Sequence, residues 1–240
     1  MKEIITDLEK LSERCDEIDI RKENEEMRTI ILELKDTLRN HKNGVGLAAP
    51  QIGYNKRIFV INFNGDIRTF INPIISNAKG LTLSREACLS LPGKEYIRPR
   101  NNNITVVYQT PLGKTESRQI VGRAATIFQH ELDHLDGLTL ADIGLELPEN
   151  FDAAPEEEKA ELIKAYMDSL DMRQKEAEKE IEENETLKKT ASAITFMEKL
   201  QRGEITVDGV ETKHIKAEDQ LAKDDSDTDN KDGDNESEGK

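Results

Sequence analysis

The stretch His130-Glu131-Leu132-Asp133-His134 places two histidines four residues apart, with a glutamate directly after the first. On an α-helix, residues four apart lie on the same face, so both imidazole rings can reach one metal ion. The glutamate then lies beside the ion, where it can take a proton from a water molecule. Because unrelated metalloproteases share this pattern, it predicts a metal-binding helix without fixing the reaction.

Working outward, apolar periodicity predicts this helix over about residues 123–135, and Asp136-Gly137 is a typical helix end. An amphipathic helix is predicted over residues 22–40. Segments typical of β-strands cover residues 57–63, 68–72, 81–83, 104–108 and 117–121. We therefore expect an α+β fold in which short antiparallel strands pack around a central metal-binding helix.

The charge of the chain is concentrated in its C-terminal part. The net charge is −15 over 240 residues, and residues 151–240 contain 27 acidic and 14 basic side chains. We expect a catalytic domain over residues 1–148, a charged, mostly helical extension over 149–215, and a disordered acidic tail over 216–240. Helix is predicted within the extension from residue 155 to about residue 202.

Composition also restricts the partners and the compartment. An acidic chain is not expected to bind nucleic acid directly, or an anionic membrane. No segment approaches the ~18 apolar residues of a membrane span, and charges interrupt every apolar run near the N-terminus, unlike in a signal peptide. With only Cys15 and Cys88, a disulfide framework is not indicated. We expect a cytoplasmic protein.

A catalytic zinc-type site has three protein ligands and one open position for water. His130 and His134 supply two ligands, and Cys88 is the candidate third, because a thiolate binds borderline metals strongly. Cys88 lies in Glu86–Ser90, which reads EACLS, whereas Cys15 has no comparable context and is interpreted as structural.

Three segments in this order resemble the signature of peptide deformylases: Gly44–Gln51 (GVGLAAPQ), Glu86–Ser90 (EACLS) and His130–His134 (HELDH). The resemblance covers about residues 11–147. It implies a metal-dependent hydrolase that removes the formyl group from formyl-methionyl peptides or nascent chains and releases formate. The metal ligands would be Cys88, His130 and His134.

The resemblance also implies the remaining roles. Glu131 would be the general acid–base, and Gln51 with the backbone N–H of Leu89 would bind the oxyanion. The substrate-binding residues would be Gly44, Val45, Gly46 and Ile127: the glycines allow an extended peptide to pair beside the loop, and Val45 and Ile127 are candidate walls of the methionine pocket.

The implied physiological metal is Fe²⁺, with Zn²⁺, Ni²⁺ or Co²⁺ as possible substitutes, because the ligand types restrict the ion without selecting one. Some deformylases dock on the ribosome through a basic C-terminal helix. The acidic extension here would instead repel RNA, so we expect it either to contact an unidentified protein partner or to keep the enzyme soluble.

Two features near the motifs concern local structure. The family motif usually has glycine where Ala87 stands, which would cost stability if that position needs a positive φ angle. Glu86 is expected to pair with an arginine such as Arg98, and Asp133 to accept a hydrogen bond near the metal ligands.

Two alternatives remain open. A zinc endopeptidase would take its third ligand downstream, where Asp136, Asp142, Glu146 and His214 are available, and Cys88→Ser would then retain metal. The other alternative is a catalytically silent homologue whose acidic extension carries the function, which an activity assay separates from an enzyme.

Overall fold

The computed structural model describes residues 1–42 and 44–183. The helices are α1 (Leu8–Leu11), α2 (Asn24–Asn40), α3 (Arg123–Leu135), α4 (Leu140–Ile143) and α5 (Glu156–Glu183). The strands are β1 (Gly46–Ala48), β2 (Ile58–Phe63), β3 (Asp66–Ala87), β4 (Glu95–Gln109), β5 (Thr115–Val121) and β6 (Leu145–Glu146). The predicted mixture of helices and antiparallel strands is confirmed.

The strands form one antiparallel sheet in the order β1-β2-β3-β4-β5, with β6 paired to β4. The strands predicted over residues 68–72 and 81–83 belong to the single strand β3, which is longer than expected. Two register shifts, between Ile71 and Ile74 and between Ile75 and Asn77, interrupt its pairing with β4. These bulges keep the strand continuous past Pro73, which cannot donate a ladder hydrogen bond.

Helix α3 packs against the sheet through an aromatic cluster. The ring of Phe128 meets the rings of Phe59 and Phe70 edge to face, with centroids 4.9 and 5.2 Å apart. All three side chains are buried. Because edge-to-face pairs restrict orientation as well as distance, this cluster fixes which face of α3 points away from the sheet core.

Helix α3 has the predicted bounds, and Gly137 ends it with a φ angle of 76°. A Cβ atom on Gly137 would lie 2.4 Å from the backbone oxygen of Ser12, so a side chain does not fit there. Arg57 donates to the carbonyl of Leu135 at 3.1 Å and to Asp136 at 2.7 Å. The last turn of α3 therefore packs closely against the N-terminal segment and accepts hydrogen bonds from Arg57, which directly precedes β2.

The chain divides into two units, Met1–Ser169 and Leu170–Lys240. The first contains the sheet and α1 to α4. The predicted helix from residue 155 onward is observed as Glu156–Glu183. Its expected continuation over 184–202, the tail over 216–240 and His214 lie outside the described residues, and the boundaries at residues 148 and 215 stay predictions. Among the described residues, no helix has the length and apolar character needed to cross a membrane.

Candidate metal centre

The end of strand β3 and one face of α3 bring Cys88, His130 and His134 together. Their ligand atoms all lie within 4.8 Å of one another, and the Sγ atom of Cys88 is 3.2 Å from Nε2 of His134. Cys88 and His134 are buried, and His130 is nearly so. The structure thus clusters the three side chains that the sequence analysis selected as ligands.

His130 is oriented by a buried chain of charged groups. Its Nδ1 atom lies 2.9 Å from Oε2 of Glu86, and Arg100 donates to both oxygens of Glu86 at 2.8 and 2.9 Å. Burial alone would raise the pKa of Glu86, but the hydrogen bonds from Arg100 and His130 outweigh it and lower the pKa to about 2. The carboxylate is therefore ionised and leaves Nε2 of His130 to face the cluster.

Glu86 pairs with an arginine, as predicted, but the arginine is Arg100 and not Arg98. Arg98 instead lies 3.6 Å from a carboxylate oxygen of Asp133, the other oxygen of which accepts from Arg100 at 2.6 Å. Arg98 and Arg100 point to the same side of β4, since side chains alternate along a strand. Asp133 therefore supports His130 indirectly, through Arg100 and Glu86.

Glu131 is buried beside the cluster. Its Oε2 atom has no hydrogen-bond partner among the described residues, which is unusual for a buried carboxylate. Burial, the largest effect, raises the pKa of Glu131 to about 7. A Cβ atom built on Gly46 would lie 2.3 Å from Oε1 of Glu131, so the glycine leaves the space that this carboxylate occupies.

Both the oxygen and the nitrogen of the Gln51 side-chain amide have hydrogen-bond partners. Its Oε1 atom accepts from the backbone N–H of Ala48 at 2.9 Å. Its Nε2 atom donates to Oγ of Ser90 at 3.1 Å and towards Sγ of Cys88 at 3.6 Å. The amide N–H groups therefore point at the cluster. Ser90 belongs to the EACLS segment, but the sequence predicted no role for it.

A cavity of about 610 Å³ opens onto the cluster. The residues predicted to bind substrate or oxyanion all line it: Gly44, Val45, Gly46, Gln51, Leu89 and Ile127. It is also lined by residues that the sequence analysis did not select, namely Ser84, Arg85, Pro92, Gly93, Arg123 and Thr126. These six residues belong to no sequence motif. They come from separate segments, and only strand pairing and helix packing bring them to the cavity.

Ala87 is the last residue of β3 and pairs with Glu95. Among the described residues, the only non-glycine residues with positive φ angles are Asn64 and Asn72, so Ala87 has an ordinary extended backbone. The replacement of the usual glycine by alanine therefore causes no backbone strain here.

These residues fit a divalent metal ion. One thiol and two imidazoles are a donor set typical of borderline first-row metals. Burial keeps the pKa of His134 well below its ordinary value, so its ring is neutral, the form that binds metal. The downstream acids proposed for an endopeptidase have other partners: Asp136 accepts from Arg57, Asp142 accepts from the backbone N–H of Thr139, and Glu146 accepts from Lys94 and Tyr96.

A cysteine, two histidines and an adjacent buried glutamate define the class of mononuclear metallo-hydrolases. The family model described as polypeptide deformylase matches residues 1–145. The chain belongs to this family, whose members are metallo-hydrolases that remove the N-formyl group from nascent polypeptides.

Relatives and solved structures agree with this assignment. The chain is 36% identical to the peptide deformylase of Dictyoglomus turgidum over 127 residues, 53% of this chain and 82% of the relative. It is 37% identical to that of Thermodesulfovibrio yellowstonii over 140 residues, 56% of this chain and 81% of the relative. The crystal structure of the Thermotoga maritima peptide deformylase superposes with a TM-score of 0.55 at 33% identity, covering 60% of this chain and 95% of that one.

Proposed function

We propose that Cys88, His130 and His134 hold one divalent ion, that this ion is Fe²⁺ in the cell, and that Zn²⁺, Ni²⁺ or Co²⁺ can replace it. The proposal is supported by the convergence of the three ligand atoms within 4.8 Å of one another. When bound, such an ion supplies Lewis acidity that makes water nucleophilic near neutral pH.

Glu131 is the group that handles the proton. It takes one proton from the attacking water and delivers it to the nitrogen of the leaving amine, so that formate and a free amino terminus are the products. Its buried position and its pKa of about 7 suit a group that must both accept and release a proton near neutral pH.

Gln51 and the backbone N–H of Leu89 bind the formyl oxygen as it gains negative charge. The side-chain amide of Gln51 is already fixed by Ala48 and Ser90, so little reorganisation is needed during the reaction. Removing one donor of this kind typically costs about 10²–10³ in rate.

The peptide binds in the 610 Å³ cavity as an extended chain. Gly44 and Gly46 allow its backbone to approach the segment that leads into β1, where it pairs as an added strand. The methionine side chain lies against Val45 and Ile127, two apolar residues that line the cavity.

The test is formate release from a formyl-methionyl tripeptide by protein purified without oxygen and loaded with Fe²⁺ or Ni²⁺. Glu131→Ala should bind metal and lose turnover, whereas Cys88→Ser should lose metal. Retention of metal by Cys88→Ser would favour the endopeptidase, and metal-loaded protein without turnover would favour the silent homologue.

We also propose that the acidic extension binds a protein partner in the cytoplasm rather than RNA. The proposal is supported by its charge, since residues 151–240 contain 27 acidic and 14 basic side chains. Full-length protein and a variant ending after residue 183 can be compared for ribosome binding at low salt. Binding that depends on the extension would contradict this proposal.

A further inference from the structure

One face of α3 runs along the cavity from the metal centre to the start of the helix. Arg123, Ile127 and His130 line the cavity at spacings of three and four residues, as one helical face requires. At a rise of ~1.5 Å per residue, Arg123 begins the helix about 10 Å before His130. The cavity therefore ends, on this side, at an arginine.

The two arginines of the cavity differ in their surroundings. Arg85 donates to Asp152 at 2.7 and 3.0 Å and to Glu95 at 3.2 Å, so carboxylates neutralise its charge. Arg123 is exposed, and within the described part of the chain no carboxylate lies within salt-bridge distance of it. Of these two cations, only Arg123 is available to an anionic group on a bound peptide.

An extended substrate brings one particular side chain to Arg123. In a β-strand, the first and third side chains point to the same face and lie about 7 Å apart. If the first side chain contacts Ile127 and the peptide runs along α3 away from the metal centre, the third lies about one helical turn closer to the start of α3. Its reach overlaps that of the long Arg123 side chain.

We propose that Arg123 is a specificity-determining residue that selects formyl-methionyl peptides with an acidic side chain at the third position. The inference rests on the proposed function, because it places the first residue of the peptide at the metal centre. The guanidinium group donates to the carboxylate of aspartate or glutamate, and the contact excludes lysine and arginine at the same position through charge repulsion.

The experiment measures kcat/KM for formyl-Met-Ala-X amides with glutamate, glutamine or lysine as X, at low ionic strength. Amidated peptides remove the terminal carboxylate, which would otherwise compete for the same arginine. For the native enzyme, glutamate should exceed glutamine by about two- to fivefold, the range expected for a contact between exposed charges. The preference should shrink as salt screens the charges.

Three comparisons make the result specific to Arg123. Arg123→Gln should abolish the glutamate-to-glutamine ratio, and Arg123→Glu should reverse the order of glutamate and lysine. Arg85→Gln is the matched control, since it removes a cavity arginine that is already paired, and it should keep the ratio. Because each variant is scored as a ratio of two substrates, general losses of activity cancel.

An unchanged ratio in Arg123→Gln would overturn the inference, and so would a preference for acid at the second position in formyl-Met-X-Ala amides. If the metal-loaded native enzyme released no formate even from the neutral peptide, the proposed function itself would fail. The two failures are therefore distinguishable.

Discussion

Replacing Gly46 with alanine is expected to disable Glu131 without displacing the metal. The added Cβ atom would lie 2.3 Å from Oε1, 2.8 Å from Cδ and 2.9 Å from Cγ of Glu131. Ordinary contacts begin near 3.4 Å, so the carboxylate must move by about 1 Å, and misplacement of a reacting group by that distance can cost about 10²-fold in rate. Because Gly46 does not have a positive φ angle, alanine adds no backbone strain.

The assay is kcat for formate release, measured with the metal content of each preparation. Gly46→Ala should lose about 10²-fold in kcat and retain its metal, since none of the three ligands is touched. Glu131→Ala is the reference variant, because it removes the carboxylate that the added Cβ would displace, and it should likewise lose kcat and retain metal. If Gly46→Ala turned over like the native enzyme, Glu131 would not need its observed position.

Three further outcomes are expected. Glu86 should stabilise the fold by on the order of 3 kcal/mol at neutral pH, because its pKa is lowered from 4.5 to about 2. This contribution is complete above pH 4.5 and is lost as the pH falls towards 2. The free energy of urea unfolding of Glu86→Gln should therefore depend less on pH than that of the native protein. The variant Glu17→Gln, at an exposed position, is the control and should behave like the native protein. Ser90→Ala should lower kcat about tenfold with little change in KM, because Gln51 loses the acceptor that orients its amide, and Ser90→Thr should recover activity; a change confined to KM would contradict this role. Phe128→Ala should cost about 3–5 kcal/mol of unfolding free energy in calorimetry or urea, and a loss below about 1 kcal/mol would show that the aromatic cluster does not anchor α3.

Local sequence was sufficient for the metal-binding helix. Its apolar periodicity and the glycine at position 137 predicted the bounds 123–135, which the structure has. Motif spacing was also sufficient for the clustering of Cys88 with the two histidines, because the order of the three segments matched a known family. Only the helix bounds rest on a short-range signal, in which side chains and backbone favour the same local structure. The clustering of residues 46 positions apart was predicted from the family motifs alone.

Longer-range geometry was not predictable in the same way. Pro73 and the stretch from Asn77 to Gly80 suggested a break, but pairing with β4 keeps β3 continuous through two bulges. The choice between Arg98 and Arg100 as partner of Glu86 depends on how β3 and β4 lie against α3. Since both arginines occupy the same side of β4, alternation along the strand cannot distinguish them. The sequence did not predict that Arg123 lines the cavity, because only the folded structure brings this residue there.

The ion proposed for Cys88, His130 and His134 would also report on folding. Cys88 and His134 are 46 positions apart, and the intervening chain supplies β4 and β5 before it reaches α3. A chain that has not yet paired β3 with β4 and docked α3 on the sheet has no coordination sphere. Capture of the proposed ion would therefore be a late event in folding, and its binding energy would stabilise the finished fold over any partly assembled one. In a preparation saturated with metal, the occupancy of the centre would then measure the fraction of chains that have the native topology.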